Sequence, residues 1–158
     1  MLIAYASRCG STGEVAQAIA RELAAQGQVV DVRLAQDISD PSGYQAVLVG
    51  SAIRFGKWLP EATRLVEKNR LALSQVPTAF FSAHILALDD GEASQRQRHA
   101  YLDPVRRIVA PKHEAFFAGK LDLSRLSFFE RTLARIVRAP EGDLRNWDSI
   151  RGWAREIM

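Results

Sequence analysis

Short apolar runs bounded by turn residues alternate along this chain with stretches whose apolar residues recur every three or four positions. That alternation constrains the fold more than any other feature. A brief apolar run between turn signals reads as a strand covered on both faces. Strands that alternate with amphipathic helices assemble into a parallel sheet flanked by helices. Leu2-Ile3-Ala4-Tyr5-Ala6 is the first such run, and residues 12–26 then repeat Val15, Ile19 and Leu23 at helical spacing, with Gly27 as the stop. Residues 29–34 alternate like a strand, and after Asp40-Pro41-Ser42-Gly43 the run Ala46-Val47-Leu48-Val49-Gly50 is a second buried strand. Pro60 opens a helix through Ala62, Leu65 and Val66, and Pro77 precedes the strand Thr78-Ala79-Phe80-Phe81-Ser82. Residues 92–109 read as a long polar helix that Pro104 is expected to kink or split. Residues 114–119 form a short last strand. Residues 124–138 form an amphipathic helix, and residues 147–157 a final one with Asn146 or Asp148 near its start.

The 158 residues suit one domain spanning residues 1–158, and no repeat, low-complexity tract or linker divides them. The opening apolar stretch stops at Ser7-Arg8, unlike a signal peptide, and no apolar run approaches the roughly 20 residues of a membrane span. With a single cysteine, Cys9, the chain has neither an internal disulfide nor a cysteine-based metal cage, so no metal is expected. These features suggest a cytoplasmic protein.

Charge is unevenly spread. Residues 1–95 hold 8 Lys/Arg and 10 Asp/Glu, whereas residues 96–158 hold 13 and 8. A basic C-terminal portion suits an anionic small molecule or an anionic membrane surface. The arginines are spread along helices with no nucleic-acid-binding motif, so no nucleic-acid partner is expected.

In a doubly wound parallel sheet, ligands bind at the carboxyl ends of the strands where strand order reverses. Three segments leave such ends: residues 7–12, 51–58 and 82–90. In the first, Ser7, Arg8, Cys9, Gly10, Ser11 and Thr12 offer hydroxyls and backbone N–H groups at a helix N-terminus, where negative charge is favoured. The loop lacks the Gly-Lys-Ser/Thr ending of a nucleotide loop and the cysteine-to-arginine spacing of a phosphatase loop. It serves either as a phosphate site or as a Ser/Thr-rich helix cap. In the second, Ser51, Ala52, Ile53, Arg54, Phe55 and Gly56 precede Lys57-Trp58, placing aromatics and cations where a flat ligand would lie. Trp58, beside Leu59-Pro60, is read as an anchor to the core. In the third, Ser82, Ala83 and His84 close a strand. His84 reads either as a hydrogen-bonding partner of a ligand or as a local backbone cap.

The sequence Ser7-Arg8-Cys9-Gly10-Ser11-Thr12 resembles the phosphate loop of the flavodoxin superfamily, usually Ser/Thr-Arg-x-Gly-x-Thr. Gly50-Ser51-Ala52-Ile53-Arg54-Phe55-Gly56 resembles the Gly-x-Ser/Ala-Ile-Arg-Tyr-Gly loop of its menaquinone-dependent protoporphyrinogen oxidase branch. Phe80-Phe81-Ser82 resembles the start of the third flavin loop. Phe117-Ala118-Gly119-Lys120-Leu121 resembles the late insertion of that branch, and Gly142-Asp143-Leu144-Arg145-Asn146-Trp147 resembles an ending of the wider group. The resemblance implies a flavodoxin-like doubly wound three-layer α/β sandwich, with a five-stranded parallel sheet in the order 2-1-3-4-5 and FMN held non-covalently. By that resemblance residues 7–12 hold the FMN phosphate, residues 51–56 line one side of the isoalloxazine, and Ser82, Ala83 and His84 line the other. His84 stands where the oxidase branch carries asparagine, and the chain is shorter near Arg138-Ala139-Pro140-Glu141.

The expected activity is FMN-dependent oxidation with a small-molecule or protein redox partner, such as a quinone or an anionic porphyrin. The alternatives are a soluble electron-transfer flavodoxin and a flavin-free binding module on the same fold. Electron-shuttle flavodoxins are usually strongly acidic, whereas this chain has a net charge of +3. The helix over residues 124–138, with Phe128, Phe129 and several arginines, either rests peripherally on an anionic inner membrane or packs its apolar side against protein. Packing is the expected state, because its apolar stripe has the width of a core-facing helix.

Overall fold

A computed structural model describes residues 1–125, 128–136 and 139–157. Its centre is a parallel sheet of β1 (Leu2–Ala6), β2 (Asp31–Leu34), β3 (Val47–Arg54), β5 (Thr78–His84) and β6 (His113–Ala118), in the spatial order β2-β1-β3-β5-β6. The two-residue strand β4 (Lys57–Trp58) folds back antiparallel on the end of β3. With β4 set aside, the five long strands have the expected order 2-1-3-4-5. Strand order reverses between β1 and β3, the position at which a doubly wound sheet leaves a crevice.

The alternation of side chains divides the core in two. Leu2, Ala4, Val47, Val49 and Phe80 face one layer of helices, α2 (Pro60–Lys68), α3 (Arg70–Gln75) and α4 (Glu92–Arg106). Ile3, Leu48, Ala79 and Phe81 face the other layer, α1 (Ser11–Ala25) and α6 (Trp147–Glu156). Val15, Ile19 and Leu23, the four-residue repeat of α1, have no exposed surface. At the end of α1, Gly27 takes a positive φ of 85°, Gln28 N–H donates to the Leu23 carbonyl and Gly27 N–H to that of Ala24, which closes the helix. At the start of α6, Asn146 caps by accepting from Ser149 N–H at 3.0 Å.

Close approach fixes one glycine. A Cβ on Gly50 would lie 1.9 Å from the Phe81 ring, so the second buried strand admits no side chain there.

The helix containing Pro104 is not split. α4 runs through it, and Arg107 N–H still reaches the Asp103 carbonyl at 3.2 Å. Pro104 sits in the last turn, so few intrahelical bonds lie beyond it to lose. The segment after β6 departs further from expectation. It forms the two-residue strands β7 (Lys120–Leu121) and β8 (Gly142–Asp143), paired antiparallel, with α5 (Phe128–Ile136) between them. Leu126, Val137 and Arg138, placed on the expected helix over residues 124–138, lie outside the described residues. Phe128, Phe129 and Ile136 of α5 are 87%, 71% and 71% exposed, so Phe129 and Ile136, placed on the apolar side expected to pack against protein, do not join the core of the domain, which leaves a contact between two copies untouched. None of the described helices is long and apolar enough to cross a membrane.

Candidate functional site

The carboxyl ends of β1, β3 and β5 open onto a cleft of about 280 Å³. Its first wall is the turn from β1 into α1. Gly10 occupies the helix N-cap with φ 86°, a left-handed conformation that glycine adopts without steric cost, and its N–H donates to Ser7 Oγ at 3.0 Å. The first backbone bond into α1 runs from Glu14 N–H to the Gly10 carbonyl. The N–H groups of Ser11, Thr12 and Gly13 therefore stand ahead of the helical ladder, at its positive end. Thr12 is fully buried, and its Oγ1 has no hydrogen-bond partner among the described residues. Such a hydroxyl is uncommon, since most buried polar atoms are satisfied. Ser7, Arg8, Cys9 and Ser11 line the cleft. Arg8, read as a cation for a ligand, is ion-paired with Glu61 of α2 at 3.0 Å.

The second wall is a β-hairpin. β3 continues to Arg54, turns through Phe55 and Gly56 with φ of 51° and 71°, and returns as β4. Positive φ at both central residues is the geometry of a two-residue turn that follows the twist of its strands. Phe55 projects 62% exposed at the tip, with the Arg54 guanidinium 5.2 Å from its ring centroid. Ala52, Ile53, Arg54, Phe55 and Gly56 all border the cleft.

Ser51 and Ser82 have different tasks. Ser51 Oγ accepts from Leu59 N–H at 2.9 Å, and Ser82 Oγ accepts from Trp58 Nε1 at 2.8 Å. Both hydroxyls are buried and bind the hairpin to the sheet. Trp58 is the core anchor expected of it, edge-on to Phe80 at 5.3 Å between ring centroids.

The third wall is the end of β5 with the segment after it. Ala83 and His84 border the cleft, His84 being 3% exposed. His84 Nδ1 lies 2.7 Å from the Leu86 carbonyl, and Nε2 is buried without a partner among the described residues. Burial holds the His84 imidazole below the usual histidine range. The Leu86 carbonyl works against that shift, and the Arg98 charge adds to it. Arg98 braces this segment by donating to the carbonyls of Ala87 and Asp89, both at 2.7 Å.

Sequence reasoning did not single out Gln97 and Tyr101 of α4 or Lys120 and Leu121 of β7, which complete the cleft. Tyr101 is buried beside His84, with ring centroids 5.9 Å apart, and burial raises its phenol above the usual value. The motif Phe117-Ala118-Gly119-Lys120-Leu121 already contained the β7 pair. Nothing in the polar stretch 92–109 marked which face would meet a ligand. Ala134 of α5 and Ala139 also reach the cleft.

The sequence matches the family described as Flavodoxin domain over residues 2–147, nearly its whole length. The chain belongs to the flavodoxin-domain family. FMN is the cofactor of that family, and the sheet order described above is the flavodoxin one. The chain is 27% identical to the protoporphyrinogen IX dehydrogenase [quinone] of Escherichia coli K12, over 99% of this chain and 93% of that one. It is 31% identical to the protein of the same name from Leishmania major, over 89% of this chain and 63% of that one. Among solved structures, the flavodoxin of Streptococcus pneumonia TIGR4 superposes with a TM-score of 0.61 at 16% identity, covering 99% of this chain and 95% of that one.

Proposed function

We propose that this chain is an FMN-dependent oxidoreductase that withdraws electrons from an anionic porphyrinogen-type substrate and delivers them to a quinone. The buried, unpartnered Oγ1 of Thr12 at the N-terminus of α1 is the observation that carries the cofactor assignment, because a phosphate oxygen would complete its hydrogen bonding. Coverage of 93% of the Escherichia coli relative named for protoporphyrinogen dehydrogenation supports the substrate class.

In this reading the N–H groups of Ser11 and Thr12, with the hydroxyls of Ser7, Ser11 and Thr12, hold the phosphate. Gly10 supplies the turn and Cys9 fills it. Arg8 lends the loop little net charge, since Glu61 accompanies it. Residues 52–56 cover one side of the ring, with Ser51 pinning the hairpin. Ala83 and His84 cover the other, with Ser82 pinning Trp58. FMN, when bound, supplies reversible electron acceptance from organic donors. Arg54 places positive charge on the cleft wall, the sign that favours a ring carrying negative charge. Gln97, Tyr101 and Lys120 stand at the cleft where substrate enters, and Lys120 carries the charge that suits a carboxylate.

A membrane contact at α5 belongs to the same reading. Its exposed Phe128, Phe129 and Ile136 lie on the helix that contributes Ala134 to the cleft. An apolar quinone is held in lipid, so docking this helix on an anionic bilayer would bring the cleft to its acceptor.

The test is an absorption spectrum of the purified protein after FMN is added and the excess removed, followed by anaerobic mixing with protoporphyrinogen and then a menaquinone analogue. Retained flavin that bleaches with the first and recovers with the second is the expected result. Retained flavin indifferent to porphyrinogen but reduced by a flavodoxin reductase would make the chain an electron carrier. No retained flavin, with unchanged protein fluorescence on titration, would leave a binding module.

A further inference from the structure

His84, which borders the cleft, carries a buried hydrogen-bonding atom with no partner among the described residues. The Leu86 carbonyl can only accept, so the 2.7 Å contact places the hydrogen on His84 Nδ1. A hydrogen on Nε2 as well would require the charged imidazolium, which the 3% exposure of the residue and the nearby Arg98 both oppose. Nε2 is therefore a lone pair, buried and without a donor. A buried acceptor left unpaired costs free energy, and folded chains rarely keep one unless something else supplies the donor.

The groups around it do not supply that donor. Tyr101 packs ring against ring at 5.9 Å, its phenol oxygen accepting from the Gln97 side chain, and its hydroxyl does not reach Nε2. Arg98 is committed to the carbonyls of Ala87 and Asp89, with Asp90 at 3.9 Å. On the sheet side Gly119 N–H meets the His84 carbonyl at 2.7 Å, a backbone bond that fixes where the side chain stands.

We propose that His84 Nε2 accepts a hydrogen bond from a ring N–H of the bound flavin, making His84 a positioning and redox-tuning residue of the cleft. The inference rests on the FMN reading. It assigns one function to the lone pair: to take a donor hydrogen from a planar heteroaromatic ring. Isoalloxazine offers such hydrogens in two classes, the imide N3–H present in both redox states and the N5–H, with N1–H in the neutral form, present only when the ring is reduced. The chemistry at His84 is the same for either, and the two are separable.

The experiment uses the full chain and His84→Phe and His84→Gln variants. Thermal melts identify any variant that does not fold, and the glutamine variant keeps an acceptor if phenylalanine is not tolerated. Without FMN, 15N NMR of the wild-type His84 ring should show Nδ1 protonated and Nε2 bare, remaining neutral as pH falls below the ordinary histidine pKa of about 6.5. A protonated Nε2 at neutral pH overturns the proposal on the apo protein alone.

With FMN, three measurements follow. If the donor is N3–H, His84→Phe weakens oxidised FMN by about tenfold, and wild type but not His84→Phe discriminates against N3-methyl-FMN. If the donor is N5–H or N1–H, oxidised FMN binds both proteins alike, and the midpoint potential of bound FMN is lower in His84→Phe because the reduced form loses its acceptor. In either case His84→Gln lies nearer to wild type. Unchanged affinity, methyl discrimination and potential in His84→Phe sink the proposal while leaving FMN binding intact. Failure of the wild-type protein to bind FMN sinks the cofactor reading and this inference together.

Discussion

A hydroxyl buried without a partner destabilises the chain that carries it, and removing it should cost little unless a ligand uses it. Thr12 meets that description, with no exposed surface and Oγ1 unpartnered. Valine has nearly the same shape and lacks the oxygen. Thr12→Val is therefore expected to melt at the same temperature as the wild-type protein without FMN, or higher, while its FMN Kd rises by about tenfold. Differential scanning fluorimetry and a fluorescence titration on the same sample check both halves. A lower melting temperature with unchanged Kd would mean that the hydroxyl has a structural partner and no ligand. Ser51 and Ser82, in strands β3 and β5, differ from Thr12, in the first turn of α1, although the sequence places all three hydroxyls at the ligand. The two serines have their hydrogen bonds filled by Leu59 and Trp58, from the hairpin that folds over them. Nothing local in the chain foretells that an indole nitrogen will arrive from Trp58.

Elements were legible in proportion to their periodicity. The repeat Val15, Ile19 and Leu23 gave α1, and the apolar runs gave β1, β3 and β5 with their burial, because a run of that length has little else to become. The hairpin at Phe55-Gly56 is not legible in the sequence. Its two-residue return strand is too short for any alternation to appear, and its turn needs a positive φ at a phenylalanine. Contacts distant in sequence were equally hidden. Arg145, its side chain 3% exposed, is held by both Asp143 and Glu14, the latter 131 residues away, and its guanidinium lies 4.4 Å from the centroid of the Trp147 ring. It ties the segment around β8 to the first turn of α1, where the turn from β1 ends. Arg145→Met should lower unfolding free energy by about 1–3 kcal/mol, the scale of hydrogen bonds to charged groups, as read from urea denaturation. Arg145→Lys should recover only part of that loss, since an ammonium cannot bridge two carboxylates and stack on an indole as a guanidinium does. Full recovery by lysine would reduce the clamp to simple charge.

For the whole molecule, the question is what meets the outer face of α5. Its stripe of apolar residues had the width of a core-facing helix, but periodicity reports the width of a stripe and not the surface it will meet. Phe128, Phe129 and Ile136 lie open, on a chain of net charge +3 whose residues 96–158 hold its excess of Lys/Arg. Apolar side chains among cations match a bilayer bearing anionic headgroups, where burial of the rings and attraction of the charges add. The chain is expected to co-sediment with vesicles containing phosphatidylglycerol and to bind weakly to phosphatidylcholine alone, with binding falling as salt is raised. Burying one phenylalanine in an apolar medium is worth about 1.5–3 kcal/mol, so Phe128→Ser with Phe129→Ser should weaken vesicle binding by at least tenfold. FMN affinity should be untouched, because neither side chain borders the cleft. Should the double variant instead abolish a dimer seen by analytical ultracentrifugation, with no vesicle binding in either protein, the face would be a contact between two copies. A lipid-borne acceptor would then have to reach the cleft from another side.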